Sequence, residues 1–504
     1  MDYAKRAIGR ILCVAVGIWL SGADLRAAEP ARFKIVYATY LGGSQWDQGR
    51  EVVPYPDGSV LVGGQTASSN MPTTAGVVQP KYAGDDPALG HPGIYGGDCF
   101  LARLSADGSR VLAATYFGGS KQERNVYGLE LDRQGNLVIT STTRSDDIPT
   151  TRGCFQPKFA GGENECFAAK ITSDLKRLIW CTYVGGSGGE SPRGGLALDR
   201  DDNVCLVGTT SSRNYPTTPG VYQEKPAGPQ TAFLTKLRAD GSGLVSSTLF
   251  GGSADAHIIG ARIDAEGSIY VAGHTRSQDL PVAADAAQPK YAGQADIFLA
   301  KFSADASRLL WATYLGGRGN EFAEYRLRIL PDGSVLLTGT TASPDFPTTG
   351  RAFQRKLRGR TDGILVKLSP DGKRFALATL LGGSGEEFFL MPTVDREGNI
   401  YIVGQTNSRD LPVTPDAIQK TYGGGTNDGV LAVLSPDGST LLYCTYLGGS
   451  GDDMIRSIAL GRGGEVYLVG HTASPDFPVT AGAFQSRFGG GSGDIYVVKL
   501  VPTR

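Results

Sequence analysis

Residues Leu441–Leu500 read LLYCTYLGGSGDDMIRSIALGRGGEVYLVGHTASPDFPVTAGAFQSRFGGGSGDIYVVKL, and everything upstream is a variation on this unit. Aligned on the Gly-Gly doublet, the copies start at Gly42, Gly118, Gly185, Gly251, Gly316, Gly382 and Gly448, at intervals of 76, 67, 66, 65, 66 and 66 residues. A fixed period of this size fits one propeller blade plus a long loop. In the sixth copy four short β-patterned runs follow one another: PTVDREG, NIYIVGQT, DGVLAVL and LLYCTYLGG. The turns between them, DREGN and SPDGS, carry Asp, Gly and Asn where φ must be positive. The expectation is an all-β fold, a seven-bladed β-propeller with four antiparallel strands per blade.

The two ends of the chain complete each other. IVYATYLGG at Ile35–Gly43 is a fourth strand with no preceding three, and DIYVVKL at Asp494–Leu500 is a third strand with no fourth. The N-terminal strand, residues 35–43, is therefore expected to complete the C-terminal blade and leave no open edge.

Composition agrees. Of 504 residues, 49 are basic and 50 acidic, so no charge bias favours a nucleic-acid partner. Gly at 71 and Pro at 27 fit a turn-rich β chain, and long 3.6-period stripes are hard to find after residue 30. The start has Lys5, Arg6 and Arg10, then the apolar run Ile11–Leu20, then small residues at Ala23 and Ala27–Ala28. That order resembles a secretory signal peptide covering residues 1–28, with cleavage near Ala28 or alternatively Ala23. Its apolar run is too short to span a bilayer. Residues 29–504 then form one domain, secreted, periplasmic or at the cell surface, with no transmembrane segment after cleavage and expected to be a monomer. The six remaining cysteines contain no CxxC pair, which disfavours a zinc site. Cys99 with Cys166, and Cys181 with Cys444, share repeat positions and read as buried strand residues; only Cys154 with Cys166 looks bridgeable.

The motifs GGS-x-x-[DE], G-x-T-x-S-x-D-[FL]-P-T-T, G-A-F-Q and D-x-F-x-A-K-L resemble the SBBP repeat, a bacterial seven-bladed β-propeller repeat, across essentially the whole chain after residue 28. The resemblance implies a propeller on an exported or surface-associated protein. It carries no shared catalytic motif.

Chemistry has to be sought in the residues themselves. A carboxylate follows each glycine doublet: Asp47, Glu123, Glu190, Asp255, Glu321, Glu387 and Asp453. They form either an acidic ring at the channel mouth, able to collect a cation such as Ca2+, or seven separate ties that accept N–H bonds from their own glycine loops. No other cofactor is expected. Gln79, Gln156, Gln223, Gln288, Gln354, Gln419 and Gln485 recur as regularly, as does Asn or Asp before the loop proline. Both sets read as loop fasteners, or alternatively as seven shallow sugar pockets. A base ends the third strand in six blades, expected to snorkel along the strand surface or to pair with a neighbouring blade's acid. His274 and His471 share one strand-end slot in blades that are not neighbours.

Symmetry breaks most in the first blade, whose long loop runs 26 residues from Pro72 to Asp98 against 15 or 16 elsewhere. It brings Asp85, Asp86, His91 and Tyr95 as candidate ligand-binding residues, or is a tolerated surface insertion. No GxSxG, HExxH, P-loop or EF-hand pattern is present. The sequence points to a non-enzymatic binding or scaffold protein that engages a polysaccharide or an extracellular protein through its long-loop face. The alternatives are a polysaccharide lyase or glycosidase, and a purely structural module stabilised by cations.

Overall fold

The computed structural model describes residues 32–85, 96–324 and 326–503. The signal-peptide segment lies outside these residues, as do Asp86, His91 and Tyr95.

Seven antiparallel sheets stand in a ring, with no helix among the described residues. Six sheets run in chain order from the axis outward, as in the first blade: Asp47–Pro54, Val60–Thr66, Asp98–Leu104, Val111–Phe117. Alternation puts one set of side chains against the sheet before and the other against the sheet after, so the core is a series of apolar layers between blades. In one layer Val469 and Ile495 of the last blade meet Val62 and Phe100 of the first. That seam is packed like the others because the ring is closed by strand exchange between the chain's ends. Phe33–Leu41 lies antiparallel to Asp494–Pro502, with Leu41 opposite Ile495 and Phe33 opposite Pro502. The closing strand stops two residues before the expected 43. Gly42 and Gly43 are taken out of the ladder because their N–H groups donate to Gln485 Oε1 (2.9 Å) and Asp47 Oδ2 (2.6 Å).

The two faces of the ring differ as the repeat implies. One carries the tight turns between first and second, and third and fourth, strands. Gly58 (φ 80°) and Gly108 (φ 69°) adopt the left-handed conformation there, while Asp202, Leu175 and Ala306 hold it without being glycine in other blades. The other face carries the glycine loops and the long loops.

The bases ending the third strands do not reach a neighbour's acid. Lys170, Lys236 and Lys301 pair with Asp132, Asp199 and Asp264 of their own blade's first hairpin, at 2.8, 3.4 and 3.1 Å. Their link to the next blade is through a carbonyl, as from Lys236 Nζ to Ala304 O at 2.8 Å. All six described cysteines are free thiols, so the Cys154–Cys166 bridge is corrected. Cys166 is buried in its strand, whereas Cys154 is half-exposed in the loop.

Candidate functional site: the loop face and the axial channel

On the loop face, the repeated polar residues bond to one another. Gln79 Oε1 accepts the N–H of Gly118 (2.9 Å), while its Nε2 donates to Asp98 Oδ2 (2.8 Å). The glycine bond recurs at Gln156, Gln223, Gln288, Gln354, Gln419 and Gln485. Asn70, Asp147, Asn214, Asp279, Asp345, Asp410 and Asp476 each accept the N–H that follows the second glycine. The outer-strand tyrosines, which the motif TYLGG displays, reach inward: Tyr116 Oη donates to Ser68 O at 2.8 Å.

The carboxylates after the doublets belong to the same fastening. Glu123 takes the N–H of Gly119 (2.9 Å) and the hydroxyl of Thr143 (2.6 Å), and Asp47, Glu190, Glu321, Glu387 and Asp453 take the matching glycine N–H. All six are buried. Asp255 differs. It follows its doublet one residue sooner, so Ala256 takes the strand position opposite Thr275, and the Asp255 carboxylate lies out beside Arg276 at 3.8 Å.

Each buried acid has a second carboxyl close by, at the start of the third strand of the preceding blade. A Cβ on Gly316 would touch Glu321 Oε2 and Asp296 Oδ1, at 2.5 and 2.7 Å. The pairs are Asp494 with Asp47, Asp98 with Glu123, Glu165 with Glu190, Asp296 with Glu321, Asp362 with Glu387, and Asp428 with Asp453. Burial pushes these groups up, Asp47, Asp98 and Asp494 to about 7 and Glu123 to about 8, and the paired acid adds to it at Asp494 and Glu123. At the seventh junction both acids are missing, and Gly251 sits between the methyls of Thr231 and Ala256, with a Cβ there 3.3 and 3.4 Å from them. Among the described residues no three His, Cys, Asp or Glu side chains gather so as to hold a metal ion.

The axis is arginine-rich. Inner strands are bulged at Arg50, Ile259, Leu390 and Arg456, and interrupted at 124–127, 192–195 and 326–327. Bulges redirect side chains, and most of the axial charges come from these irregular places. On the hairpin side, Arg326 of the fifth blade crosses to Glu51 Oε2 of the first (2.8 Å) and Glu130 Oε1 of the second (3.0 Å). Arg262 stands 3.8 Å from the same Glu130 oxygen. Toward the loop side, half-buried Glu324 is pushed up to about 7 by desolvation, against the pull of Arg193, Arg50 and Arg456 from three other blades.

A cavity of about 380 Å3 opens at the loop-side mouth, walled by blades two to five and including Arg124, Arg193, Gln230, His257, His274 and Glu324. Thr209 Oγ1 lies 3.0 Å from His257 Nδ1, and the His257 and His274 rings stack with centroids 5.0 Å apart. Burial first, then His257 and the nearby Arg193 and Arg276, depress His274 to about 3; burial also lowers His257. Both imidazoles are neutral at pH 7. His471, the other occupant of the slot, meets Gln48 at 3.3 Å on the far side of the channel.

Of the sequence candidates, Glu190 borders this cavity, and the other doublet acids serve their own loops. Asp85 precedes the undescribed segment and lies close to Gly96. Arg193, His257 and Glu324 carried no motif; their signal is that they break the repeat at inner-strand positions.

Residues 393–412, from the end of the sixth inner strand to the following loop, match the SBBP family, described as a beta-propeller repeat. These residues carry an SBBP repeat. The matched segment recurs in register in the other blades. No curated protein matches the chain in sequence. Among solved structures it is similar to a protein of unknown function from Dyadobacter fermentans, at 12% identity and a TM-score of 0.43 over 94% of this chain and 99% of that one. It is also similar to BamB from Moraxella catarrhalis, at 12% and 0.40 over 93% and 100%. A europium-containing methanol dehydrogenase is similar at 10% and 0.39 over 92% and 93%. At this level no function follows from the likeness.

Proposed function

We propose that the chain is an exported binding or scaffold protein that engages an extracellular polysaccharide or a protein partner through its loop face. The observation that carries this reading is the contrast between faces. Tight hairpins close one side, whereas on the other long loops are fixed by repeated bonds around a polar axial cavity. Rigid loops on a scaffold are where binding residues concentrate. Export rests on the leader-like order of residues 5–28, and no helix among the described residues is long and apolar enough to cross a membrane. Retention of the protein on a panel of immobilised bacterial and plant polysaccharides tests the reading; failure to be retained on any of them, or by cell-envelope proteins, overturns it.

A second reading, a lyase or glycosidase, has one observation behind it. Glu324 borders the cavity as a carboxyl held near pH 7, where a general acid works best. The same panel scored for shortened or unsaturated products decides between the two: products lost in Glu324→Gln support the enzyme.

A further inference from the structure

The wall of the cavity at the loop-side mouth is close to charge balance. Glu163, Glu190 and Glu324 stand on it against Arg124 and Arg193. Glu190 is spent on its own loop, accepting the Gly186 N–H at 3.3 Å and the Thr210 hydroxyl at 2.7 Å, and burial holds Glu324 near pH 7. The two imidazoles, depressed by burial, add no charge at pH 7. An ion entering here would give up its hydration without a surplus of opposite charge to replace it, so the wall favours an uncharged ligand.

What the wall does offer is hydrogen-bonding groups. Thr209 Oγ1 occupies His257 Nδ1, which leaves Nε2 of that ring for the cavity. His274, stacked on it, has no hydrogen-bond partner at Nδ1. Gln230 gives its backbone carbonyl to the Ala256 N–H (3.1 Å) and extends an exposed amide from the rim. A neutral imidazole and an amide each donate and accept at once, as a hydroxyl group does. The apolar part, Ile258 and Ile259, is itself buried and offers little to an apolar side chain. The imidazole pair belongs to the fourth blade, where His257 lies opposite His274; the equivalent pair is Gln48 with Gln65 in the first blade and Met454 with His471 in the seventh.

We propose that this mouth binds a neutral oligosaccharide, its hydroxyls bonded to the His257 and His274 imidazoles and the Gln230 amide. The proposal rests on the binding function above and narrows it to one site and one ligand class. The volume of about 380 Å3 falls at the lower end of the about 300–1,000 Å3 range of small-ligand sites. Because one blade alone carries the imidazole pair, one ligand binds per chain rather than one per blade.

The test is titration calorimetry of the full chain with the neutral trimers cellotriose, maltotriose, mannotriose and galactotriose, a galacturonic acid trimer, a glucosamine trimer and a capped tetraserine peptide. At least one neutral trimer is expected to bind with a stoichiometry of one and an affinity that salt changes by less than about twofold. The acidic and cationic trimers should bind at least about tenfold more weakly. His274→Gln installs the amide that Gln65 and Gln405 already place in this slot; it should fold and weaken the neutral trimer about fivefold, the order of one neutral hydrogen bond. Gln230→Ala, at the exposed rim, should weaken it about threefold and decides the matter if His274→Gln does not fold. His471→Gln, the same change in the same slot across the channel, should leave binding unchanged. Binding of no neutral trimer, preference for a charged trimer or for the peptide, or a stoichiometry near one per blade overturns the proposal, the peptide reassigning the mouth to protein segments. Neutral binding that His274→Gln and Gln230→Ala leave untouched removes this site and keeps the binding function, as does retention on a polysaccharide without binding of any trimer, whereas absence of all binding removes both.

Discussion

The rim of the loop face and the axis of the ring are built on opposite plans. At the rim, the blades spend their recurrent polar residues on the same bonds: Gln to the first glycine, Asx to the residue after the second, and, at six of the seven junctions, a buried carboxyl beneath. On the axis the blades present different side chains, and Arg326 ties the fifth blade to the first and second. Repetition in this chain therefore marks structure, and departure from it marks the places able to single out a ligand. The third-to-fourth junction sharpens the point, because both its carboxyls are replaced and it lies beside the axial cavity.

The strongest test of the rim plan removes its closure. Deleting Phe33–Leu41 leaves Asp494–Pro502 as a bare edge, and the chain should lose cooperative thermal unfolding and aggregate on size-exclusion chromatography. The next effect is on pH. The paired acids are raised in the folded state from about 4 to about 7, so the native chain binds more protons than the unfolded one across that window. Their contribution is complete below pH 4 and is lost as pH rises through 7. The hairpin acids Asp107, Asp305 and Asp332, held down to about 2 by serine hydrogen bonds, act in reverse and lose theirs as pH falls below 4. The melting temperature should peak near pH 4–5 and decline toward pH 8; a flat or rising profile removes the paired-acid account. On the axis, Arg326→Ala strands Glu51 and Glu130 and should cost about 3–5 kcal/mol by urea unfolding. The smallest effects compare two members of one sequence set. Glu123→Ala should cost about 2–3 kcal/mol, since Gly119, Thr143 and their neighbours lose a buried acceptor. Asp255→Ala, at a carboxylate that stands out beside Arg276, should stay within about 0.5 kcal/mol. Equal costs would mean that the two positions do the same job.

Blade number, strand order and closure were legible because each is written seven times and depends on alternation and turn residues, which are local. The fastening role of Gln79 and its equivalents was legible for the same reason. The doublet acids offered two readings, ring or tie, and spacing alone did not separate them: the choice depends on Thr143 and Gly119, which come near Glu123 only when the strands pair. The second carboxyl at Asp98 escaped notice as a partner because it belongs to a different blade from Glu123. The axial site was hidden for a further reason. Arg193, Glu324 and Arg50 are over a hundred residues apart from one another and meet only across the closed ring.

The pairing of Phe33–Leu41 with Asp494–Pro502 also sets an order of events. Phe33–Leu41 is synthesised before the blades and Asp494–Pro502 after them, so the one strand waits for the other through the synthesis of every blade between. Closing a loop of that length is slow, and contacts so distant in sequence form late. Until Asp494–Pro502 emerges, the ring stays open with one strand unplaced, and the axial arginines have not yet been brought face to face.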